Sequence, residues 1–383
     1  MDALRLAFVA GEASGDLLAA PVIEALSGRG AARTAGVAGD RMIAAGCETW
    51  HHIRELSVRG YAEVLRELPR LLALRRRLAE RIVHERPAAL VGVDAPDFNL
   101  QLETRVRRAG IPTVHYVSPS IWAWRRGRIE TIRRAASHVL LVFPFEADIY
   151  RQAAIPATYV GHPLASAIAP DADPATARAE LGLPSGTTVV ALLPGSRRAE
   201  VAFIAPVLLH AARHLLDRDT AMRFVLPVAD RGLRAHLETL LAAMPAVRER
   251  TRLVDGHSHG CLQAADGVLV ASGTATLEAA LFGKPMVIVY RMPRLSWWLM
   301  RGRGYLPWVG LPNILAREFL VPELLQDAAT PEAIATALAD LLDDGPRCAM
   351  LRERFAAMHA ELRRDTPTLA AEAILATATR RSQ

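Results

Sequence analysis

GVLVASGTATLEAALFGKPMVIVY, residues 267–290, decides the fold. An apolar run (267–271) enters a corner of small and hydroxyl-bearing residues. A helix-length segment follows, ended by Gly283 and Pro285, and a second apolar run (286–290) completes the unit. Five apolar residues without alternation imply a strand buried on both faces, which is the habit of parallel sheets. Two such strands joined through a helix form a right-handed crossover.

The same grammar recurs along the chain. RLAFVA (5–10), AALVGVD (88–94), TVHYV (113–117) and HVLLVF (138–143) lie on one side of GHPL (161–164). A Pro/Asp/Ala-rich stretch, ASAIAPDADPAT (165–176), reads as a linker, and the pattern restarts with TVVALL (188–193) and RFVLPV (223–228). The expected fold is α/β, with two Rossmann-like domains whose parallel sheets face a cleft. The expected division is 1–165, 166–345 and a C-terminal segment, 346–383.

Length and composition agree. At 383 residues the chain is long for one core, and hydrophobic residues make up 51% of it. No apolar run approaches the roughly 18 to 20 residues that span a bilayer. The N-terminus reads as a first strand entering a Gly-rich turn, not as a signal peptide. Three scattered cysteines make neither a disulfide framework nor a metal pattern, so a reducing cytoplasm is expected. Net charge is +6, carried by arginine, since Lys284 is the only lysine. A basic surface suits anionic membranes or nucleotides. With no zinc-finger spacing and no RNA-binding aromatic motif, no nucleic-acid partner is expected.

Open parallel sheets bind ligands beyond the carboxyl ends of their strands. Four strand-to-helix loops are therefore the candidate sites: GEASGD (11–16), VDAPDFN (93–99), LPGSR (193–197) and ASGTATLE (271–278). Helix starts offer unpaired N–H groups to anions. Gly195, Ser196, Ser272, Gly273, Thr274, Ala275 and Thr276 are small enough to admit a ligand close to the backbone. Thr274 or Thr276 can donate to a phosphate, and Glu278 can accept from ribose hydroxyls. Arg197 can pair with two phosphate oxygens at once. The bland reading, that small residues only permit close packing at such corners, applies to either loop alone; two in one half favour a nucleotide site. The P-loop pattern and the G-x-G-x-x-G fingerprint are absent. DxD-like strings occur only at 171–173 and 217–219 and read as solvated acids, so neither a metal nor a cofactor is expected.

The first half supplies acids. Glu12 and Asp16 flank Ser14, and Asp94 ends an uninterrupted apolar strand, where a carboxylate can take a proton from an attacking hydroxyl. Asp16 reads more simply as a helix cap, and Asp97 and Asn99 as stabilisers of a turn around Pro96. Trp122 and Trp124, followed by Arg125, Arg126 and Arg128, frame a sugar or acyl ligand or else form a buried aromatic pair. His115 and His162 read as hydrogen-bonded structural residues.

Two segments suggest a membrane surface. Residues 54–81 place Val58, Tyr61, Val64, Leu65, Leu68, Leu71, Leu72 and Leu78 mostly three or four apart among arginines. Residues 291–310 join Trp297, Trp298, Leu299, Met300 and Trp308 to Arg291, Arg294, Arg301 and Arg303. Basic residues around aromatics anchor interfacial proteins. Helices packed on a core, or a subunit interface, account for the same pattern.

In this order the motifs resemble the lipid-A-disaccharide synthase family. The likeness runs from GEASGD through GVAGDRM (36–42), GVDAPDFN, HYVSPSIWAW (115–124), FPFE (143–146), GHPL, LPGSR and ASGTATLE to LPNILA (311–316) and PELLQ (322–326). The resemblance implies a GT-B architecture and a metal-independent, inverting transferase at the cytoplasmic face of the inner membrane. It also implies that 346–383 are helices returning to an N-terminal domain, either the chain's own or that of a partner in a homodimer with exchanged C-terminal regions. The implied substrates are UDP-2,3-diacylglucosamine and 2,3-diacylglucosamine 1-phosphate, joined in a β-1,6 linkage with release of UDP. On that footing Ser272–Thr276 cradle the diphosphate, Glu278 holds the ribose, Asp94 is the base, Arg197 meets charge on UDP, and Asn313 lines the site. Rival readings are another GT-B lipid-linked sugar transferase, a UDP-sugar epimerase, or a non-catalytic nucleotide-sugar-binding protein.

Overall fold

The computed structural model describes residues 3–56, 61–122, 126–294, 297–298 and 306–379, without the side chains of 61–66, 126 and 231. Internal contacts divide the chain into one unit of Met1–Ser166 with Leu362–Gln383 and a second of Ala167–Glu361. Residues 346–361, expected among the returning helices, pack with the second unit.

The first unit holds seven parallel strands: β1 (Leu4–Ala10), β2 (Ala32–Ala38), β3 (Glu48–His52), β4 (Ala89–Val93), β5 (Thr113–Tyr116), β6 (His138–Leu141) and β7 (Ala157–Tyr159). Their spatial order is β3-β2-β1-β4-β5-β6-β7. The second unit holds six: β8 (Val189–Leu193), β9 (Arg223–Val228), β10 (Thr251–Asp255), β11 (Gly267–Ala271), β12 (Met286–Tyr290) and β13 (Glu323–Leu325), ordered β10-β9-β8-β11-β12-β13. All pairings are parallel, with Leu6↔Ala89 and Val190↔Gly267 in register.

Each sheet reverses its winding once, between β1 and β4 and between β8 and β11. At such a switch point the flanking loops leave in opposite directions and open a crevice at the strand ends. The central strands β4, β8 and β11 are buried along their whole length, which explains their unbroken apolar sequence. In the second unit the helices Arg198–Arg218 and Pro331–Asp343 close one sheet face over Phe224, Leu226 and Leu269. Arg198–Arg218 is long and apolar enough to cross a bilayer, but 56% of its apolar window is buried in the unit, and it packs as a core helix. In the first unit the C-terminal helix Thr366–Thr379 packs on Ala13–Gly28. The chain's return is held by the His162 amide donating to the Leu362 carbonyl (2.9 Å) and Ser166 Oγ donating to that of Arg364 (3.2 Å).

Candidate active site

At the first switch point β1 runs into Gly11 and the helix Ala13–Gly28, and β4 runs into Asp94 and the helix Pro96–Arg108. The loops touch. A Cβ on Gly11 would lie 2.2 Å from the Ala95 Cβ, so only glycine fits. Ser14 Oγ donates to Asp94 Oδ2 at 3.1 Å, joining two residues 80 positions apart. Asp94 is half-buried, and Glu12 is exposed at the helix start. The hydroxyl engages one oxygen of the carboxylate, and a carboxylate held at a strand end in this way can take a proton from an attacking hydroxyl.

Asp16 stands apart from these groups. Its carboxylate is buried and accepts from the backbone amides of Gly39 (3.0 Å), Arg41 (3.1 Å) and Met42 (3.0 Å). It caps the short helix Asp40–Ala44 that follows β2, not the helix that carries it. Asp97 is exposed, with its side chain bonded to Arg128.

At the next strand ends Trp122 stands edge-on to Phe143 (6.3 Å) and Phe145 (5.3 Å), and its indole donates to Glu146 Oε1 at 3.2 Å. The Phe143 amide donates to Glu146 Oε2. Burial nevertheless pushes the Glu146 carboxyl up to about 7, against these bonds. His162 packs on Phe143, accepts from the Leu164 amide, and is pushed down to about 4 by burial. His115 is fully buried and bonds Glu103 through Nδ1 at 2.7 Å. Both histidines are structural. Trp124 and Arg125 lie outside the described residues, as does the side chain of Arg126.

In the second unit, LPGSR follows β8. Gly195 has φ +104°, which suits glycine alone, and Arg197 projects with 84% of its side chain exposed, touching Glu200 at 3.2 Å. Ser196 is exposed beside it. After β11, Gly273 precedes the helix Thr274–Leu281. Gly273 and Thr274 are exposed and Ala275 is half-buried. Two hydroxyls expected to face a ligand turn inward. Ser272 Oγ donates to the Val309 carbonyl (2.9 Å); Thr276 Oγ1 donates to the Gly273 carbonyl (2.8 Å) and accepts from the Leu311 amide (3.2 Å). Asn313 is likewise fully buried, bonded to both main-chain groups of Val321 and to Glu323. Glu323 in turn accepts from the amides of Val309 and Gly310. Ser272, Thr276 and Asn313 therefore hold the loop 309–311 against the end of β11, and Thr274 is the hydroxyl left exposed.

Glu278 is half-buried and pairs with His259 Nε2 at 3.8 Å, which raises the imidazole's affinity for its proton. The sequence offered no sign of His259, because it reaches Glu278 from the preceding crossover helix. Among the described residues no three His, Cys, Asp or Glu gather as a metal site. Asp173 caps the helix Pro174–Glu180, and Asp217 pairs with Arg213.

The two switch points thus carry opposite chemistries: a carboxylate bonded by Ser14 at one, and at the other an exposed arginine and a helix start with an exposed threonine hydroxyl. The family model described as lipid-A-disaccharide synthetase matches residues 6–375. The chain belongs to this family. A lipid-A-disaccharide synthase of Methylobacillus flagellatus is 49% identical over 371 residues, covering 97% of this chain and 98% of the relative. The fold is that of GT-B glycosyltransferases. A glycosyltransferase from Rickettsia africae superposes with a TM-score of 0.60 at 10% identity, covering 100% of this chain and 99% of the other. A UDP-GlcNAc 2-epimerase from Neisseria meningitidis, bound to UDP-GlcNAc, does so at 0.60 and 12%, covering 98% and 100%. Fold alone therefore does not separate a transferase from an epimerase, whereas membership of the synthetase family makes this chain a glycosyltransferase.

Of the interfacial segments, Val58, Leu299, Met300, Arg301 and Arg303 lie outside the described residues, as do the side chains of Tyr61, Val64 and Leu65. On the helix Tyr61–Glu85, Leu68 and Leu72 are exposed, Leu71 is half-buried, and Leu74 and Leu78 are in the core. Trp298 is 71% exposed, Trp297 is half-buried, and Trp308 packs edge-on to the exposed Phe319.

Proposed function

We propose that this chain condenses UDP-2,3-diacylglucosamine with 2,3-diacylglucosamine 1-phosphate, releasing UDP and forming a β-1,6 disaccharide 1-phosphate. Asp94 takes the proton of the acceptor's primary hydroxyl as that oxygen attacks the anomeric carbon. The bond from this carbon to the UDP oxygen breaks in the same displacement, so the centre inverts and no sugar is bound covalently to the enzyme. Arg197 and the start of the helix Thr274–Leu281 meet the charge growing on the diphosphate, and Glu278 accepts from the ribose hydroxyls.

What carries the reading is the coincidence of chemistry with topology: the half-buried Asp94, bonded by Ser14, stands at one switch point and the exposed Arg197 at the other. Exposed Leu68, Leu72 and Trp298 support a peripheral seat on an anionic membrane, and the family resemblance supports the cytoplasmic face of the inner membrane. A homodimer is part of the same proposal.

The test is UDP release with and without the acylated acceptor. Release should depend on the acceptor, and Asp94→Ala should lower turnover about a hundred- to ten-thousand-fold. Near-normal turnover in that variant would pass the base role to Glu12, and no UDP release even with the acceptor present would favour a nucleotide-sugar-binding protein.

A further inference from the structure

Asp94 and Ala95 have φ of +53° and +43°. Two consecutive side-chain-bearing residues in the left-handed region are uncommon, and such backbone persists only where its surroundings impose it. The imposing group is Asn99, which is fully buried one turn into the following helix. Its Nδ2 lies 2.9 Å from the Asp94 carbonyl, 3.2 Å from that of Val93 and 3.2 Å from that of Val9. Two N–H bonds serve three carbonyls, and these belong to the ends of both strands at the switch point. The acceptors dictate which end of the amide faces them, because an oxygen there would meet three others. The amides of Phe98 and Asn99 donate to the Ala95 carbonyl at 3.0 Å each, and the Asp94 amide donates to the Tyr116 carbonyl at 2.8 Å. The backbone on either side of the Asp94 side chain is thereby held.

We infer that Asn99 is the positioning residue of the base: by gathering the carbonyls of Val9, Val93 and Asp94, it locks the left-handed turn that points the Asp94 carboxylate at Ser14. This rests on Asp94 being the base. Sequence spacing shows only a turn-stabilising asparagine after Pro96; the three carbonyls, one from β1, give it the further role. Asn99 touches no substrate in this account and acts through the direction of one side chain.

The consequence is a separation of effects. A misaimed base slows the displacement and leaves the nucleotide grip intact, and a displacement of about 1 Å can cost a hundredfold in rate. The full chain is assayed by acceptor-dependent UDP release, with UDP affinity measured by calorimetry. Asn99→Ala should lower kcat roughly ten- to hundredfold while UDP affinity stays within about twofold. Asn99→Asp keeps the volume, and carries the test should the alanine variant fold poorly. It should lose kcat similarly, because a carboxyl has at most one O–H to offer where the amide donates to three carbonyls. Adding Ala95→Gly to Asn99→Ala should recover several-fold of the lost kcat, because glycine adopts positive φ freely; a role in folding alone predicts no such rescue. Wild-type kcat in Asn99→Ala or in Asn99→Asp would overturn the inference if Asp94→Asn is inactive. If Asp94→Asn itself turns over normally, the base assignment fails instead.

Discussion

Glu146 shows what one residue does when the fold removes it from water. Burial raises its carboxyl from the ordinary 4.5 to about 7, even though the Trp122 indole and the Phe143 amide donate to it. Below pH 4.5 the folded and unfolded chains are both protonated there. Between 4.5 and about 7 only the unfolded chain ionises, so stability falls as pH rises, with a limiting slope of about 1.4 kcal/mol per pH unit. Above that window the effect is constant. Glu146→Gln removes this titration, so its melting temperature relative to the parent should climb between pH 5 and 7.5. A difference that stays flat with pH would contradict the raised carboxyl. At this scale Asp94 was legible because it ends a run of apolar residues, where a carboxylate has to emerge. Asp16, Ser272, Thr276 and Asn313 were not. Their partners are backbone groups that only the folded chain brings near, as when Gly39, Arg41 and Met42 converge on Asp16.

At the scale of elements, the close approach of the β1 and β4 loops is the feature on which the site depends. Any side chain at Gly11 collides with Ala95. Gly11→Ala should therefore cost about 1–3 kcal/mol in denaturant unfolding, as overpacked sites do, and should lower turnover by separating Ser14 from Asp94. Gly28, at a helix end with open space around it, is the control, and Gly28→Ala should be neutral or mildly stabilising. Unchanged stability and activity in Gly11→Ala would refute the contact. The central strands were legible as unbroken apolar runs, since both their faces are covered. The strands β2, β3, β7, β10 and β13 were not: β2 carries Arg33 and Thr34, β7 and β13 are only three residues long, and exposed Glu48 and Thr49 in β3 and Arg252 and Asp255 in β10 break the apolar run. The helix following Pro163 and the cap at Asp173 likewise emerged from a stretch that reads as linker.

For the whole molecule, the repeated strand–helix grammar made two α/β units legible, but the point where the chain returns to the first unit was not. It is set by His162 and Ser166 meeting Leu362 and Arg364, about two hundred positions later. The basic, apolar surface makes a separate claim. Anionic vesicles should float the protein, and the fraction bound should drop with added salt. The double variant Leu68→Glu, Leu72→Glu should lower binding without lowering the melting temperature, since both side chains are exposed. Equal flotation of parent and variant would remove this helix from the membrane face. The central claim is that base and diphosphate grip reside in different units. Titration calorimetry of UDP against Asp94→Ala and Arg197→Ala tests it most directly. The prediction is parent-like affinity for the first, and a loss of about ten- to hundredfold for the second, the usual worth of a hydrogen bond to a charged group. Undiminished UDP affinity in Arg197→Ala, or its loss in Asp94→Ala, would contradict the account.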